Sequence, residues 1–488
     1  MPQPPARPPG LGFETASPSK PVSMQYALET PEGIYVPLEA LLVPMPSSIQ
    51  TDLASGAVNP LAADLAQPMA ATRGCRFAEI PSSSLQSPQS SGNGRHKPKL
   101  SLLRNKASVI SMAVVYEGYA KRLLEGQSSS LAWVNIGRIL ALMDLDINAP
   151  NRNQQLAKIM FTQAWPIVAD VNRFSASPTQ LDLAVGLSNG EVLWIESISN
   201  RFSRMNKDGT LASNAPATAI AWVPQSSTIV AVGYGNGSVG IYDVEREDGA
   251  PLSTPNTAHH VNLSTPSLKV IQSGTTPHKS NPIAFYNVSN DQITALKFNG
   301  GGILAVSSRD GYVRIIDMAE QRVSDILPSY FGAVTCMEIS PDSKYLVIGG
   351  EDDCLGIYNL ETMDIVARLE GHRAFVLAVA FDIFQTEAAT YRIGSVGEDG
   401  RIILWDFSPD TLPHRLSGEM KRPTMLGDSQ VHPFVPHSDV PVIFPVAQSA
   451  PEIEGLEPAS FCDILFDKGA ISATTSDGII FSWQRPQV

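Results

Sequence analysis

The chain has 488 residues, with 35 Lys or Arg against 48 Asp or Glu, which gives a formal net charge of −13 at pH 7. A surface this acidic argues against nucleic acid as a partner. Hydrophobic residues make up 43% of the chain and can fill a large core, while 36 Gly and 38 Pro favour a fold with many turns over a helical bundle.

Proline and serine dominate the first 98 residues, and this composition buries too little apolar surface to offset chain entropy. We predict a disordered tail over residues 1–21 and a disordered linker over residues 44–98. Between them, residues 22–43 alternate apolar and polar side chains around Pro31, Glu32 and Gly33. This pattern indicates a β-hairpin.

Self-similarity is the most informative feature of the rest of the chain. Six short segments align without gaps, and each has Asn or Asp in its second column, followed in all but one by Gly. Asn-Gly or Asp-Gly between alternating apolar residues is a strong hairpin signal, because both central residues of a type I′ turn need positive φ. The segments span residues 188–196, 235–243, 309–317, 351–359, 398–406 and 476–483.

These repeats predict a fold made of four-stranded units. A seventh, weaker unit precedes them, with candidate strands at residues 109–115, 131–136 and 139–144. A single unit cannot cover both of its apolar faces, whereas units arranged around an axis bury one another. We therefore predict an all-β, seven-bladed β-propeller over residues 99–488.

Two long gaps between repeats predict insertions at residues 245–290 and 407–458, which we interpret as mobile loops. The last repeat ends close to the end of the sequence without an outer strand. An open ring would expose an apolar face and a strand edge. Residues 22–43 are therefore expected to supply the missing strand.

Cysteine spacing and hydropathy indicate an intracellular protein. Cys75, Cys336, Cys354 and Cys462 form no C-x-x-C pair, so reduced thiols are expected rather than a disulfide framework or a zinc site. No apolar run is long enough for a signal peptide or a membrane span. Cytoplasm and nucleus both stay open. The histidines of the two insertions are expected to be solvated rather than metal-bound.

One repeat resembles the WD-repeat propellers in detail. Gly371 and His372 precede the repeat, Asp399 lies in its turn, and Trp405 and Asp406 follow. The resemblance implies a structural tetrad in which Asp399 accepts from His372, the imidazole bonds the Ser395 hydroxyl, and that hydroxyl meets the Trp405 indole N–H.

A closer resemblance lies within that class, to the fungal creC catabolite-repression proteins and their animal relatives, the dystrophia-myotonica-type WD-repeat proteins. It implies a non-catalytic scaffold that binds and activates or stabilises a ubiquitin-specific protease, a deubiquitinase, with a link to carbon catabolite repression in fungi. The matching strings are residues 32–35, 329–332, 349–353, 365–368, 371–372, 379–382 and 391–397.

Partner-binding candidates lie in the loops that join the outer strand of one blade to the inner strand of the next, which share one rim. Interfaces are enriched in aromatic residues and Arg. The resemblance favours Phe331 and Phe375, which align with aromatics in the family's loops. In the alternative interpretation, each aromatic plugs the top of its own blade. The candidates are Trp165, Tyr330, Phe331, Arg373 and Phe375.

Two rival functions stay open at this point. A substrate receptor of a ubiquitin ligase would use the same fold, and an enzyme would need converging carboxylates, His or metal ligands in the central channel. Residues 186–190 fit G-x-S-x-G and residues 235–240 fit G-x-G-x-x-G, but a strand rather than a helix follows each pattern. We therefore expect no catalysis, cofactor, metal or small-molecule substrate.

Overall fold

The structure is a computed structural model that describes most residues of the chain. These are residues 26–43, 76–80, 101–102, 109–115, 130–149, 152, 155–177, 180–248, 269–272, 280–385, 390–412, 423–426, 429–436, 439–452 and 459–486. The tail predicted at residues 1–21 and most of the linker predicted at residues 44–98 lie outside these ranges.

Seven β-sheets surround a central axis, and we number them blades 1 to 7 in chain order. The first strand of each blade contacts the first strands of both neighbouring blades, including those of blades 7 and 1, so the ring is continuous. The prediction of an all-β, seven-bladed propeller is confirmed. The first strands are Phe77–Ile80, Pro166–Val171, Ala217–Trp222, Ile293–Phe298, Val334–Ile339, Val376–Phe381 and Phe461–Phe466.

Successive strands within a blade are antiparallel and run outwards from the axis. The second strands are Leu131–Ile136, Asp182–Leu187, Ile229–Tyr234, Ile303–Ser308, Tyr345–Gly350, Tyr391–Gly397 and Ala470–Thr475. The third strands are Ile139–Asp144, Val192–Glu196, Ser238–Asp243, Tyr312–Asp317, Cys354–Asn359, Ile402–Phe407 and Ile479–Gln484. The fourth strands of blades 1 to 6 are Gln155–Phe161, Arg201–Asn206, Ala284–Asn287, Arg322–Pro328, Ile365–Glu370 and Ala447–Ser449.

Short strands border several blades on the outside, and a further pair lies beside blade 3. They are Leu28–Thr30, Ser101–Leu102, Ile110–Val115, Glu247–Asp248, Lys269–Gln272, Ser280–Asn281, Thr424–Leu426, Ser429–Val431 and Val442–Ile443. The described ranges also contain two 3-10 helices, Lys207–Ala212 and Pro409–Thr411. In these ranges, no helix has the length and apolar character needed to cross a membrane.

The apolar core lies between the blades. In the described part of the chain, each pair of neighbouring blades shares one cluster of buried apolar side chains. Between blades 5 and 6, for example, Ile357 and Leu369 pack with Phe381 and Trp405. Each blade is therefore stabilised by its neighbours, so the stability of any blade depends on a closed ring.

The segment near the N-terminus supplies the outer strand of blade 7. Gly33–Pro37 and Leu41–Leu42 both pair antiparallel with Ile479–Gln484. The Trp483 indole N–H donates to the carbonyl oxygen of Tyr26 at 2.8 Å. Leu28 and Tyr35 are fully buried against blades 6 and 7. The last strand of the chain is therefore covered by residues from the beginning of the described chain.

Charged side chains tie the same segment to blade 6. The buried Arg392 guanidinium pairs with the carboxylates of Glu32 and Asp406, and its Nη2 lies 3.0 Å from Glu32 Oε2. Burial alone would raise the pKa of Glu32, but the hydrogen bond and charge of Arg392, together with hydrogen bonds from its own backbone N–H and from Thr30, outweigh burial and lower the pKa to about 2. The Glu32 carboxylate of the folded chain is therefore ionised at neutral pH.

We expect the Glu32→Gln variant to lose stability at neutral pH and much less at low pH. The folded pKa of Glu32 lies below its ordinary value of 4.5, so its contribution is complete above about 4.5 and is lost as pH falls towards about 2. Urea unfolding of wild type and variant at pH 7 and pH 3 measures this. A difference in unfolding free energy that stays constant between these pH values would contradict the assignment.

The structure differs from the sequence interpretation within residues 44–98. Phe77–Ile80 forms the first strand of blade 1 and pairs with Leu131–Ile136. Ile110–Val115, predicted as a strand of this unit, lies instead at its outer edge, paired with Gln155–Phe161. A strand of four residues shows too little alternation to stand out from a Pro- and Ser-rich background.

The interpretation of the insertions as mobile loops is wrong where they are described. Ala284–Asn287 is the fourth strand of blade 3. In the second insertion, Ser429–Val431 pairs with the fourth strand of blade 4, Val442–Ile443 with that of blade 5, and Ala447–Ser449 completes blade 6. We call the described residues of 423–449 the strap. Each of its strands is too short for sequence periodicity to reveal.

Candidate partner-binding rim

Blade 6 contains the hydrogen-bonded tetrad that the resemblance implies. The Trp405 indole N–H donates to Ser395 Oγ at 2.8 Å, and Ser395 Oγ lies 2.8 Å from His372 Nε2. His372 Nδ1 lies 3.0 Å from Asp399 Oδ2. A neutral imidazole with its proton on Nδ1 satisfies every member of the chain. Because the four side chains hydrogen-bond one another in this way, the cluster has a structural role.

Asp399 also holds the loop that enters blade 6. Its carboxylate accepts from the backbone N–H of Arg373 at 3.0 Å and of Arg401 at 3.2 Å. Burial alone would raise the pKa of Asp399, but the hydrogen bond from His372 and the two backbone donors lower it. The tetrad thereby fixes the backbone that carries Arg373 and Phe375.

We expect His372→Ala to lower the unfolding free energy by about 2–3 kcal/mol, because it removes the buried imidazole that bonds both the Asp399 carboxylate and the Ser395 hydroxyl. Arg373→Ala, one residue further on at an exposed position, serves as the control and should change stability by about 0.5 kcal/mol or less. Urea unfolding at pH 7 measures both. Equal effects of the two variants would show that the tetrad does not stabilise blade 6.

In blade 5, Tyr330 takes the place that His372 has in blade 6. Each lies four residues before the residue that opens the first strand, Val334 or Val376. The Arg368 guanidinium carbon lies 4.3 Å from the centre of the Tyr330 ring. Tyr330 is 38% exposed, so it covers its own blade with one side and faces solvent with the other.

Phe331, in contrast, faces solvent. Its side chain is 72% exposed, the largest value among the described large apolar residues. The loop is a tight turn in which Ser329 Oγ donates to the carbonyl oxygen of Gly332 at 2.9 Å. Gly332 has a φ of +69°, which favours glycine. Because the turn is closed by its own hydrogen bond, the phenyl ring is presented by a preorganised loop.

Phe375 lies on the same rim, one blade further on. It is 39% exposed, and its carbonyl oxygen accepts from the backbone N–H of Glu398 at 2.9 Å. Arg373 beside it is exposed. The structure therefore brings four of the five candidate residues to adjacent loops of blades 5 and 6.

Trp165 lies apart from that group. It enters blade 2, with blades 3 and 4 between it and the Tyr330 loop, and its side chain is half-buried. Its backbone N–H donates to Ser188 Oγ at 3.2 Å, and its carbonyl oxygen accepts from Ser188 N–H at 3.0 Å. If Trp165 contacts a partner, it does so at a separate point of the rim.

Two further aromatics, which sequence reasoning missed, reach this rim from the strap. Phe434 is 48% exposed and its ring centre lies 5.3 Å from that of Tyr330. Phe444 is 71% exposed and directly follows Ile443, which pairs with Leu369 just before the loop that enters blade 6. No sequence signal placed them there, because their position depends on the path of the insertion across blades 4 to 6. We call the group of Tyr330, Phe331, Phe375, Phe434 and Phe444 the aromatic rim.

Comparison with known proteins bears on this geometry. The family model of the WD domain, G-beta repeat, matches residues 324–359 and 363–406, which include the loops of Phe331 and Phe375. The UBP9-binding protein bun62 of Schizosaccharomyces pombe is 31% identical over 378 residues, covering 70% of this chain and 68% of that protein. The chain belongs to the WD-repeat family of this relative. The resemblance drawn from the sequence is confirmed at this level.

Among solved structures, a chain of the crystal structure of the mitotic checkpoint complex superposes with a TM-score of 0.48 at 13% identity, covering 82% of this WD-repeat chain and 98% of that one. The superposition is too loose to bear on function.

The central channel of the WD-repeat propeller is the place where a catalytic centre would be sought. Its carboxylates already bond neighbouring strands: Asp170 accepts from the backbone N–H of Trp222 at 3.1 Å, and Asp463 from that of Phe77 at 2.8 Å. Burial raises the pKa of both. Lys297 pairs with Glu338 on the next blade. These contacts link the first strands of neighbouring blades, so the charged side chains have a structural role there.

The two histidines of the described ranges, His372 and His432, each pair with a carboxylate. His432 is buried with Nε2 2.9 Å from Asp325 Oδ1, so the expectation that insertion histidines are solvated is wrong for this residue. Cys336, Cys354 and Cys462 are free thiols, and burial raises the pKa of Cys336 to about 12. In these ranges, no three His, Cys, Asp or Glu side chains converge as a metal site. Cys75 lies outside the described residues.

Proposed function

We propose that the chain is a non-catalytic WD-repeat scaffold whose aromatic rim binds a ubiquitin-specific protease. The observation that carries the proposal is Phe331, a phenyl ring that is 72% exposed on a preorganised loop, in a chain whose relative is named as a UBP9-binding protein. Solvent-exposed aromatics on rigid loops have the character of interface hot spots, because their burial is favourable and little entropy is lost.

The proposal extends to regulation. The scaffold activates or stabilises the protease if it binds the productive conformation of that enzyme more tightly than the unproductive one, since equal affinity for both shifts no population. The rigid turn of Phe331 supports such selectivity, because a preformed surface favours one conformation of its partner. The resemblance to the fungal creC proteins extends the proposal to carbon catabolite repression, and therefore to the cytoplasm or nucleus.

The test is native purification of the tagged chain, followed by reaction with ubiquitin that carries a C-terminal electrophile. This reagent labels the active-site cysteine of deubiquitinases. A labelled ubiquitin-specific protease should co-elute with the chain, and adding purified chain to that protease should raise its turnover of a ubiquitin–fluorophore substrate. Recovery of a cullin-type adaptor without labelled protease would replace the proposal with the ligase-receptor alternative.

A further inference from the structure

We propose that the strap is part of the protease-docking surface, so that Phe434 and Phe444 contact the ubiquitin-specific protease together with Phe331 and Phe375. This inference rests on the proposed function and deepens it. It assigns a role to an insertion that the family model leaves unmatched, because that model ends at residue 406 and the strap begins at residue 423.

The first support is direct contact between the strap and the loop of Phe331. The Phe434 ring lies 5.3 Å from the Tyr330 ring, and Arg368 stacks on Tyr330 at 4.3 Å. The same guanidinium donates through Nη2 to the carbonyl oxygen of Val435 at 2.8 Å. Arg368 is almost fully buried, and its guanidinium contacts both the loop of Tyr330 and the strap. The two surfaces therefore form one continuous patch.

The second support is the way the strap is anchored. Ser429 Oγ donates to the carbonyl oxygen of Val323 at 2.6 Å, and the N–H of Arg368 donates to that of Pro441 at 2.9 Å. His432 is paired with Asp325, and Val440 is buried. A segment anchored at these points presents its exposed rings in a fixed geometry, which lowers the entropic cost of binding.

The third support is the contrast in burial along the strap. Ser429, His432 and Val440 are buried, whereas Phe434 and Phe444 are 48% and 71% exposed. The chain thus places its polar anchors inside and two of its largest apolar side chains outside, the reverse of a segment that only covers a sheet edge. Grouped exposed aromatics mark interaction sites.

The occupant is the ubiquitin-specific protease, through aliphatic and aromatic side chains of its own, because the strap aromatics continue the patch that begins at Phe331. A partner that covers the Phe331 loop also covers Tyr330, whose ring contacts Phe434. A standard interface buries about 800 Å² on each partner, more than two phenyl rings provide, so a docked protease needs the neighbouring surface.

The experiment measures the affinity of the purified ubiquitin-specific protease, recovered with the wild-type chain, for Phe434→Ala and Phe444→Ala variants. We expect each variant to raise Kd by about tenfold, with unchanged Tm. Phe174→Ala is the matched control, because Phe174 is 53% exposed and lies in a loop between first and second strands, on the opposite face. It should leave Kd unchanged.

The outcomes separate this inference from the proposed function. If Phe331→Ala weakens binding while Phe444→Ala stays within about twofold of wild type, the strap does not dock the protease and the inference fails, although the proposed function stands. If Phe331→Ala and Phe375→Ala also leave Kd unchanged, both fail. A change in the oligomeric state of the free chain in Phe444→Ala would assign the strap to self-association and overturn the inference as well.

Discussion

Removal of residues 1–43 is expected to abolish cooperative folding of the propeller. The deletion strips blade 7 of the strands that pair with Ile479–Gln484 and leaves Arg392 without Glu32. It also removes the buried side chains of Leu28, Tyr35, Leu41 and Val43. At about 1.5–3 kcal/mol for each buried large apolar side chain, the loss is about 6–12 kcal/mol, comparable with the whole stability of a domain at about 5–15 kcal/mol.

Thermal and urea unfolding of the truncated chain measure this effect. The matched control lacks only residues 1–25 and keeps residues 26–43, whose contacts with blades 6 and 7 the structure describes. We expect the control to unfold cooperatively near the wild-type midpoint and the larger truncation to aggregate or to show no transition. A truncated chain that retains a sharp transition within a few degrees of the control would show that residues 26–43 do not hold the ring closed.

Simultaneous replacement of Phe331 and Phe375 by Ala is expected to raise the Kd for the ubiquitin-specific protease by at least about a hundredfold. Interface hot spots cost about 2 kcal/mol or more each when truncated, and the two effects need not add fully. Both side chains are exposed and belong to no cluster of the core, so the folded chain loses little. The melting temperature should therefore stay near that of wild type.

Isothermal titration with the purified protease measures this effect, and the control is Phe174→Ala on the opposite face. Unchanged affinity in the double variant would exclude these two rings from the interface. A melting temperature that falls together with affinity would instead support the alternative in which each aromatic packs on the top of its own blade. Tyr330 already packs partly in this way, against Arg368 of blade 5.

The sequence predicts the fold best where the backbone conformation requires one residue type. Gly at positive φ follows Asn189, Asn236, Asp310, Asp399 and Asp477 in the repeat turns. Because that backbone region excludes most side chains, these turns are recognisable without an alignment and, with the aligned turn at Asp352, indicate six blades. The seventh blade is predicted instead from its candidate strands at residues 109–115, 131–136 and 139–144. The set of His372, Ser395, Asp399 and Trp405 was predicted from the resemblance to WD-repeat propellers, and the structure contains its hydrogen bonds.

Other parts of the fold depend on contacts between residues distant in sequence. Phe77–Ile80 forms a strand because it pairs with Leu131–Ile136 and because its Phe77 N–H donates to the Asp463 carboxylate of blade 7. The sequence of these four residues alone does not predict a strand. The strap is similar, since each of its strands is two or three residues long and borrows its register from blades 4 to 6. Phe434 and Phe444 could not be assigned to the rim before that path was known.

The buried ion pair of Glu32 and Arg392 could not be predicted from the sequence either. Nothing in the sequence connects Glu32 with Arg392, which are 360 residues apart and lie in the N-terminal hairpin and blade 6. The alternation of residues 22–43 predicts the hairpin turn that contains Glu32 but not its partner; in the structure, Glu32 neutralises a guanidinium that has no exposure to solvent. Buried charges need such partners, so the pair also explains why this turn lies against blade 6.

We propose that the aromatic rim, rather than the central channel or the opposite face, binds the ubiquitin-specific protease. Hydrogen exchange of the propeller with and without a saturating amount of the purified ubiquitin-specific protease tests it most directly. We predict slower exchange in peptides covering residues 329–333 and 371–376. No change is expected in the loop of Phe174 or at Ile383, which follows the first strand of blade 6 on the same opposite face and is 55% exposed. Protection confined to the loops of Phe174 and Ile383, with residues 329–333 unaffected, would show that the protease binds the opposite face and not the aromatic rim.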